Sequence, residues 1–179
     1  PVSKVFSEQM IAEMFPNGVP TTVLKLDTKL RHAGVPESRL EWTTKTFAQD
    51  VVRDSPDLKK FVVFASEWIH LSNSERPDIV VFGPTGTGKT GISTAMLNSI
   101  VAAGWSGRFV TLKELSIEWR SSFGANDPSR VQIHESDVVK AYADPDVLII
   151  DEFGGTKRTD FVEDSMTFLI DKRQTSKLP

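Results

Sequence analysis

The chain of 179 residues contains no cysteine. That absence removes disulfide frameworks and every zinc site built on thiolates. Long apolar runs are missing too, and the start at Pro1 carries no secretory signal, so a cytoplasmic protein without a membrane partner is expected. No initiator Met stands at position 1, which points to a trimmed or partly represented chain. Excess charge is small: 21 Lys and Arg against 24 Asp and Glu give a net −3. The molecule as a whole is therefore no electrostatic glue for nucleic acid, and any DNA contact must come from a local patch. His32, His70 and His134 lack metal-ligand spacing, and the four Trp residues are scattered as packing residues would be. Neither an internal repeat nor a low-complexity segment is present. The fractions that remain, 39% hydrophobic and 25% charged, are those of an ordinary globular chain. The length suits one domain, or one domain with an appendage.

Against this plain background stands Gly83-Pro84-Thr85-Gly86-Thr87-Gly88-Lys89-Thr90, which fills the phosphate-loop pattern G-x-x-x-x-G-K-[ST]. Each residue type has its own reason. The glycines let the backbone turn tightly and aim successive N–H groups at one anion. Lys89 brings a mobile point charge for the outer phosphates, and the Thr90 hydroxyl can reach a Mg²⁺ held between them. Ile79-Val80-Val81-Phe82 in front reads as a short strand. Behind it Ile92, Ala95, Met96 and Ile100 fall at helical spacing over Gly91 to Ala103. Strand, glycine loop and helix form the context that the motif requires.

A second constellation narrows the chemistry. Val147-Leu148-Ile149-Ile150 reads as a buried parallel strand, and Asp151-Glu152 follow at its C-terminal end, where open α/β folds bind ligands. Asp151 would hold the Mg²⁺ with Thr90, directly or through water. Glu152 would polarise the water that attacks the γ-phosphate. These residues are those of Walker A and Walker B motifs and favour ATP hydrolysis, with Lys89 and Glu152 as catalytic groups. No Asn-Lys-x-Asp tetrad is present to read guanine.

The remaining pattern supplies further elements. Met10, Ile11, Met14 and Phe15 share a helical face over Ser7 to Phe15, a candidate docking element, and Pro16-Asn17-Gly18 stops it. Helices are expected over Thr43–Asp54, Asp57–Leu71, Glu114–Phe123 and Glu135–Ala143, with a strand over Arg108–Leu112. A last helix runs from a cap at Asp160 to about Arg173. Lys157 and Arg158 lie in a loop that could touch a nucleic-acid backbone.

The order of elements resembles the DnaC/IstB-type branch of AAA+ ATPases, the bacterial and phage helicase loaders and transposition helpers. The lead-in His32-Ala33-Gly34-Val35-Pro36-Glu37-Ser38-Arg39 carries the resemblance, with Thr46-Phe47, the phosphate loop, Leu148 to Gly154 and the tail Phe168-Leu169-Ile170-Asp171-Lys172-Arg173. The similarity covers residues 30–173 and implies a three-layer α/β/α P-loop NTPase with a parallel sheet. Residues 31–179 would form the AAA+ domain, and residues 1–30 a short helical extension. It further implies ATP and Mg²⁺ as cofactors, an ATP-dependent homo-oligomer, single-stranded DNA as ligand and a replicative helicase as partner. Trp42 to Phe47 sit where the family's adenine-side segment lies.

In that family the fourth of five parallel strands lies between the first and the third. Here only three strands are expected before Lys177-Leu178-Pro179, so the natural protein is expected to continue beyond Pro179 with the remaining strands, the sensor residue and the lid. Two other functions fit the same residues: a helper ATPase of DNA transposition, and a nucleotide-switched interaction module with little hydrolysis.

Overall fold

The computed structural model describes residues 21–44, 46–47, 56–123, 135–155 and 159–179. The helix expected over Ser7–Phe15, most of that over Thr43–Asp54, and the Lys157-Arg158 pair lie outside the described residues. The chain divides into two compact units, one drawing on residues up to Ile69 and on Gly83–Trp105, the other on His70–Phe82 and Ser106–Pro179.

In the first unit, helix α1 covers Thr21–His32, with Lys29, Arg31 and His32 in its last turn, where cations complement the helix dipole. It ends at Gly34, which takes φ 81°. The Gly34 N–H bonds the Arg31 carbonyl at 3.0 Å and the Val35 N–H bonds Leu30 at 3.1 Å, a Schellman closure that explains the glycine of the lead-in. Helix α2, Pro56–Trp68, begins on a proline whose missing N–H costs nothing in a first turn. Helix α3, Lys89–Ala102, closes in the same way as α1: Trp105 N–H to Ile100 at 3.2 Å, Gly104 N–H to Val101 at 3.1 Å. Phe47, Val62, Ile92 and Ala95 form the buried centre of this unit, flanked by Trp42 and Phe61.

The second unit contains the sheet. Strand β1, Gly107–Thr111, pairs in parallel with β2, Val147–Asp151, so that Gly107 faces Val147 and Thr111 faces Asp151. Helices α4 (Leu112–Phe123) and α5 (Glu135–Ala143) lie in the crossover that a parallel pair demands, and α6 spans Asp160–Thr175. Leu115, Trp119, Val139, Tyr142, Val162 and Leu169 pack together beside Val110, with Leu148 and Ile150 against them. Asp146 pins the start of both strands. Its carboxylate accepts from the Ser106 N–H at 2.8 Å, the Ser106 hydroxyl at 2.6 Å and Asn73 Nδ2 at 2.7 Å. Arg173 of α6 is 5% exposed and donates to the carbonyls of Tyr142 and Ala143 at 3.1 Å and of Pro145 at 2.8 Å. It thereby satisfies the orphan acceptors at the end of α5.

Two expectations need correction. Ile79–Phe82 does not form a strand: no strand among the described residues pairs with it, and Val80 and Phe82 are 84% and 89% exposed. An apolar run becomes a strand only when a neighbour takes up its N–H and C=O groups. The cap of α6 is Thr159 rather than Asp160, since the Thr159 side chain accepts from the Val162 N–H, leaving Asp160 in the first turn. No helix among the described residues is long and apolar enough to cross a membrane.

Candidate nucleotide site

The loop Gly83-Pro84-Thr85-Gly86-Thr87-Gly88 leads directly into α3, with Gly88 as the N-cap. Gly83, Gly86 and Gly88 take φ of 148°, 82° and 87°. All three lie in the region that side chains avoid. The loop is exposed through Thr87, while Gly88, Lys89 and Thr90 are half-buried. Thr87 donates its hydroxyl to the Pro84 carbonyl at 2.9 Å, and the Lys89 ammonium folds back to the carbonyls of Gly83 at 2.9 Å and Pro84 at 2.7 Å. Lys89 therefore folds back across the loop onto two neutral acceptors that an anion could replace. The Thr90 carbonyl is engaged by the Thr94 hydroxyl at 2.6 Å, which leaves the Thr90 hydroxyl out of that bond.

The donors suit a polyphosphate: a cation folded back across the loop and the free N–H groups of a helix N-terminus. Of the side chains on this turn, the Thr90 hydroxyl offers the kind of oxygen that Mg²⁺, a hard ion, takes. Among the described residues no cluster of three or more His, Asp or Glu side chains offers an all-protein metal cage.

The carboxylate pair sits at the C-terminal end of β2 in the second unit. Asp151 is half-buried and accepts from the Glu152 N–H at 2.8 Å. Glu152 is exposed and takes φ 59°. A non-glycine residue held in the left-handed region marks a backbone shaped for something other than its own comfort. The turn closes through the Gly155 N–H to the Glu152 carbonyl at 3.1 Å.

Two supports of the loop were not singled out by the sequence reading. Gly91, one turn into α3, has no room for a side chain: a Cβ there would stand 2.6 Å from Trp42 Cζ3 and 2.7 Å from Phe47 Cε2. The available signal was a glycine inside a helix, which costs about 1 kcal/mol against alanine and so asks for a packing reason. Asn98, buried in the same helix, points Nδ2 at the carbonyls of Arg39 and Trp42 at 2.7 Å and of Leu40 at 3.3 Å. It ties the lead-in to α3.

The replicative helicase loader DnaC of Buchnera aphidicola subsp. Baizongia pistaciae (strain Bp) is 27% identical over 119 residues, 66% of this chain. The chain spans about half the length of that relative, 47%. A family described as IstB-like ATP binding protein matches residues 25–177, which contain the loop, the carboxylate pair and the whole sheet. The chain therefore belongs to the family of IstB-like ATP-binding proteins, with the α/β fold of an AAA+ P-loop NTPase.

Proposed function

We propose that this chain is the ATP-hydrolysing part of a helicase loader, which uses nucleotide state to control assembly on single-stranded DNA. The observation that carries the reading is Lys89 folded back across a glycine loop that opens directly into a helix N-terminus. Backbone N–H groups of Gly86 to Thr90 would hold the phosphates, with Pro84, Thr85 and Thr87 shaping the loop. Lys89 would neutralise the charge that develops as the terminal phosphoryl group leaves. Thr90 and Asp151 would supply oxygens to Mg²⁺, which when bound withdraws charge from the phosphates. Glu152 would orient the attacking water and receive its proton.

The similarity to a replicative helicase loader supports a ring helicase as partner and replication initiation as setting. Nucleotide-dependent self-association and single-stranded DNA binding belong to the same proposal. The IstB-like family match keeps a transposition helper as the second reading. Residues 31–179 are proposed as the AAA+ part, with residues 1–30 available for partner contact.

The test is titration of the chain and its Lys89→Ala variant with MgATP, followed by turnover. The expected result is saturable binding and slow hydrolysis by the unsubstituted chain. Affinity should fall about 10- to 100-fold in the variant, the worth of a charge-assisted contact. Equal affinity in both would remove Lys89 from the site. Helicase loading onto forked DNA against duplex capture by a transposase separates the two cellular readings.

A further inference from the structure

Residues 39–44 and 46–47 lie against α3 as a strap fastened at one end and wedged at the other. Asn98 fastens it by donating to the carbonyls of Arg39, Leu40 and Trp42. Beside it, Ser99 Oγ lies 3.2 Å from the Thr44 N–H and 3.4 Å from the Thr44 hydroxyl. The strap's last turn is closed on itself. Thr46 N–H bonds Thr43 Oγ1 at 3.1 Å, Thr43 N–H bonds Thr46 Oγ1 at 2.8 Å, and Phe47 N–H reaches the Thr43 carbonyl at 2.9 Å. This reciprocal pairing is the logic of a capping box, and it leaves the Phe47 backbone little freedom.

The other end meets the phosphate loop. Phe47 is 2% exposed. Its Cζ would lie 3.3 Å from a Cβ placed on Gly88, and its Cε2 2.7 Å from one on Gly91. Trp42, with its ring centroid 5.7 Å from that of Phe47, closes the same space from the side. Lys89 and Thr90 lie between those two glycines. The turn that carries both phosphate-site side chains therefore rests on the Phe47 ring at both glycines, with Trp42 also against Gly91.

We infer that Phe47 is a positioning residue for the phosphate loop: it holds the Gly88–Gly91 turn so that Lys89 and Thr90 face a nucleotide's phosphates. The inference rests on the nucleotide reading above. It adds that affinity is set in part by a residue more than forty positions upstream, through its contact with Gly88 and Gly91. Interdigitated cores transmit small displacements, and a site loosened by about 1 Å loses its function. Trimming the ring should therefore loosen phosphate binding beyond any general loss of stability.

The experiment compares MgATP affinity, by titration calorimetry, for the unsubstituted chain, Phe47→Leu and Val62→Ala, with the thermal midpoint of each measured alongside. Val62 belongs to the same buried cluster, and its side chain is not among the nearest neighbours of either glycine. Phe47→Leu is expected to bind about tenfold more weakly, while Val62→Ala stays within about twofold at a comparable loss of midpoint. Unchanged affinity in Phe47→Leu, or a loss that merely follows the midpoint in both variants, overturns the inference. Should Phe47→Leu fail to fold, Phe47→Met keeps volume without the flat ring. Weakening is expected there too, and unsubstituted affinity in it overturns the inference. Failure of the unsubstituted chain to bind MgATP is a separate result, which overturns the nucleotide reading itself.

Discussion

Tyr142 donates its hydroxyl proton to Glu118 Oε2 across 2.7 Å, joining α5 to α4. It is the sole tyrosine of the chain, so its titration can be followed without overlap. Burial pushes its pKa up, and the Glu118 carboxylate adds to the effect against the opposing Arg108, to about 12. Tyrosinate absorbance should therefore rise with a midpoint near 12 in the folded chain, and near about 10 in urea. The neutral phenol is favoured by folding, so its stabilising share is intact below about pH 10 and lost as pH rises toward 12. A single midpoint near 10 under both conditions would contradict the contact. Tyr142→Phe should cost about 1 kcal/mol in urea unfolding, the worth of one hydrogen bond.

Glu152 combines an exposed carboxylate with φ 59°. Glu152→Gln should silence ATP turnover while MgATP affinity stays within about twofold, because the lost group acts on water rather than on the nucleotide. Glu152→Gly should silence turnover equally. It should unfold no earlier than the unsubstituted chain, since glycine accepts the left-handed backbone without the roughly 1–2 kcal/mol that other residues pay. Normal turnover in Glu152→Gln would remove it from the catalytic role.

Arg173 faces the carbonyls at the end of α5 from a buried position, and desolvation lowers its pKa to about 10, against the pull of Asp78 and Asp146. Arg173→Ala should destabilise the chain by about 3 kcal/mol, since several buried acceptors lose their donors together. Arg173→Lys should recover less than half of that. An ammonium cannot spread over the carbonyls as a planar fork does. Chemical denaturation of both variants checks the pair.

An acid limb is expected in the stability profile. Desolvation alone would raise the Asp146 carboxyl, but the hydrogen bonds from Ser106 and Asn73 outweigh it and hold it below the ordinary range. The Thr111 N–H and hydroxyl hold Glu114 low as well. Carboxyls depressed by folding contribute above their unfolded pKa and lose that contribution as pH falls through the folded one. Urea midpoints should be level above about pH 5 and decline below about pH 4. Asp146→Asn with Glu114→Gln should flatten the decline, and an unchanged acid limb would place its origin elsewhere.

Much of the site was legible because its signals are local. A phosphate loop is a run of eight residues whose backbone needs are written in glycine, and the carboxylate pair announces itself at the end of an apolar strand. Gly104 reads as a cap after the helix that follows the loop and Pro56 as a first-turn residue, while Gly34 reads only as part of a turn. Helix α1, Thr21–His32, was not among the expected helices, and the other misses are relational. Ile79–Phe82 has the composition of a strand, but pairing is a property of two segments, and the second is not among the described residues. Thr159 and Asp160 can each cap a helix, and only the geometry of the Val162 N–H decides between them. Phe47 reads only as part of the Trp42 to Phe47 segment of the resemblance until Gly88 and Gly91 are seen against its ring.

Nine of the fourteen residues of α3 are buried, among them Gly91, Thr94 and Asn98. Buried all round, the helix has no wet face on which substitutions can accumulate harmlessly. Its history should therefore be one of matched exchanges: a larger residue at position 91 accompanied by smaller rings at 42 and 47, and a lost amide at 98 by a redrawn lead-in. Natural variants that alter α3 alone should be scarce, and those that exist should cluster at the half-buried Ser93 and Ser99 and at Ala102, its one exposed residue.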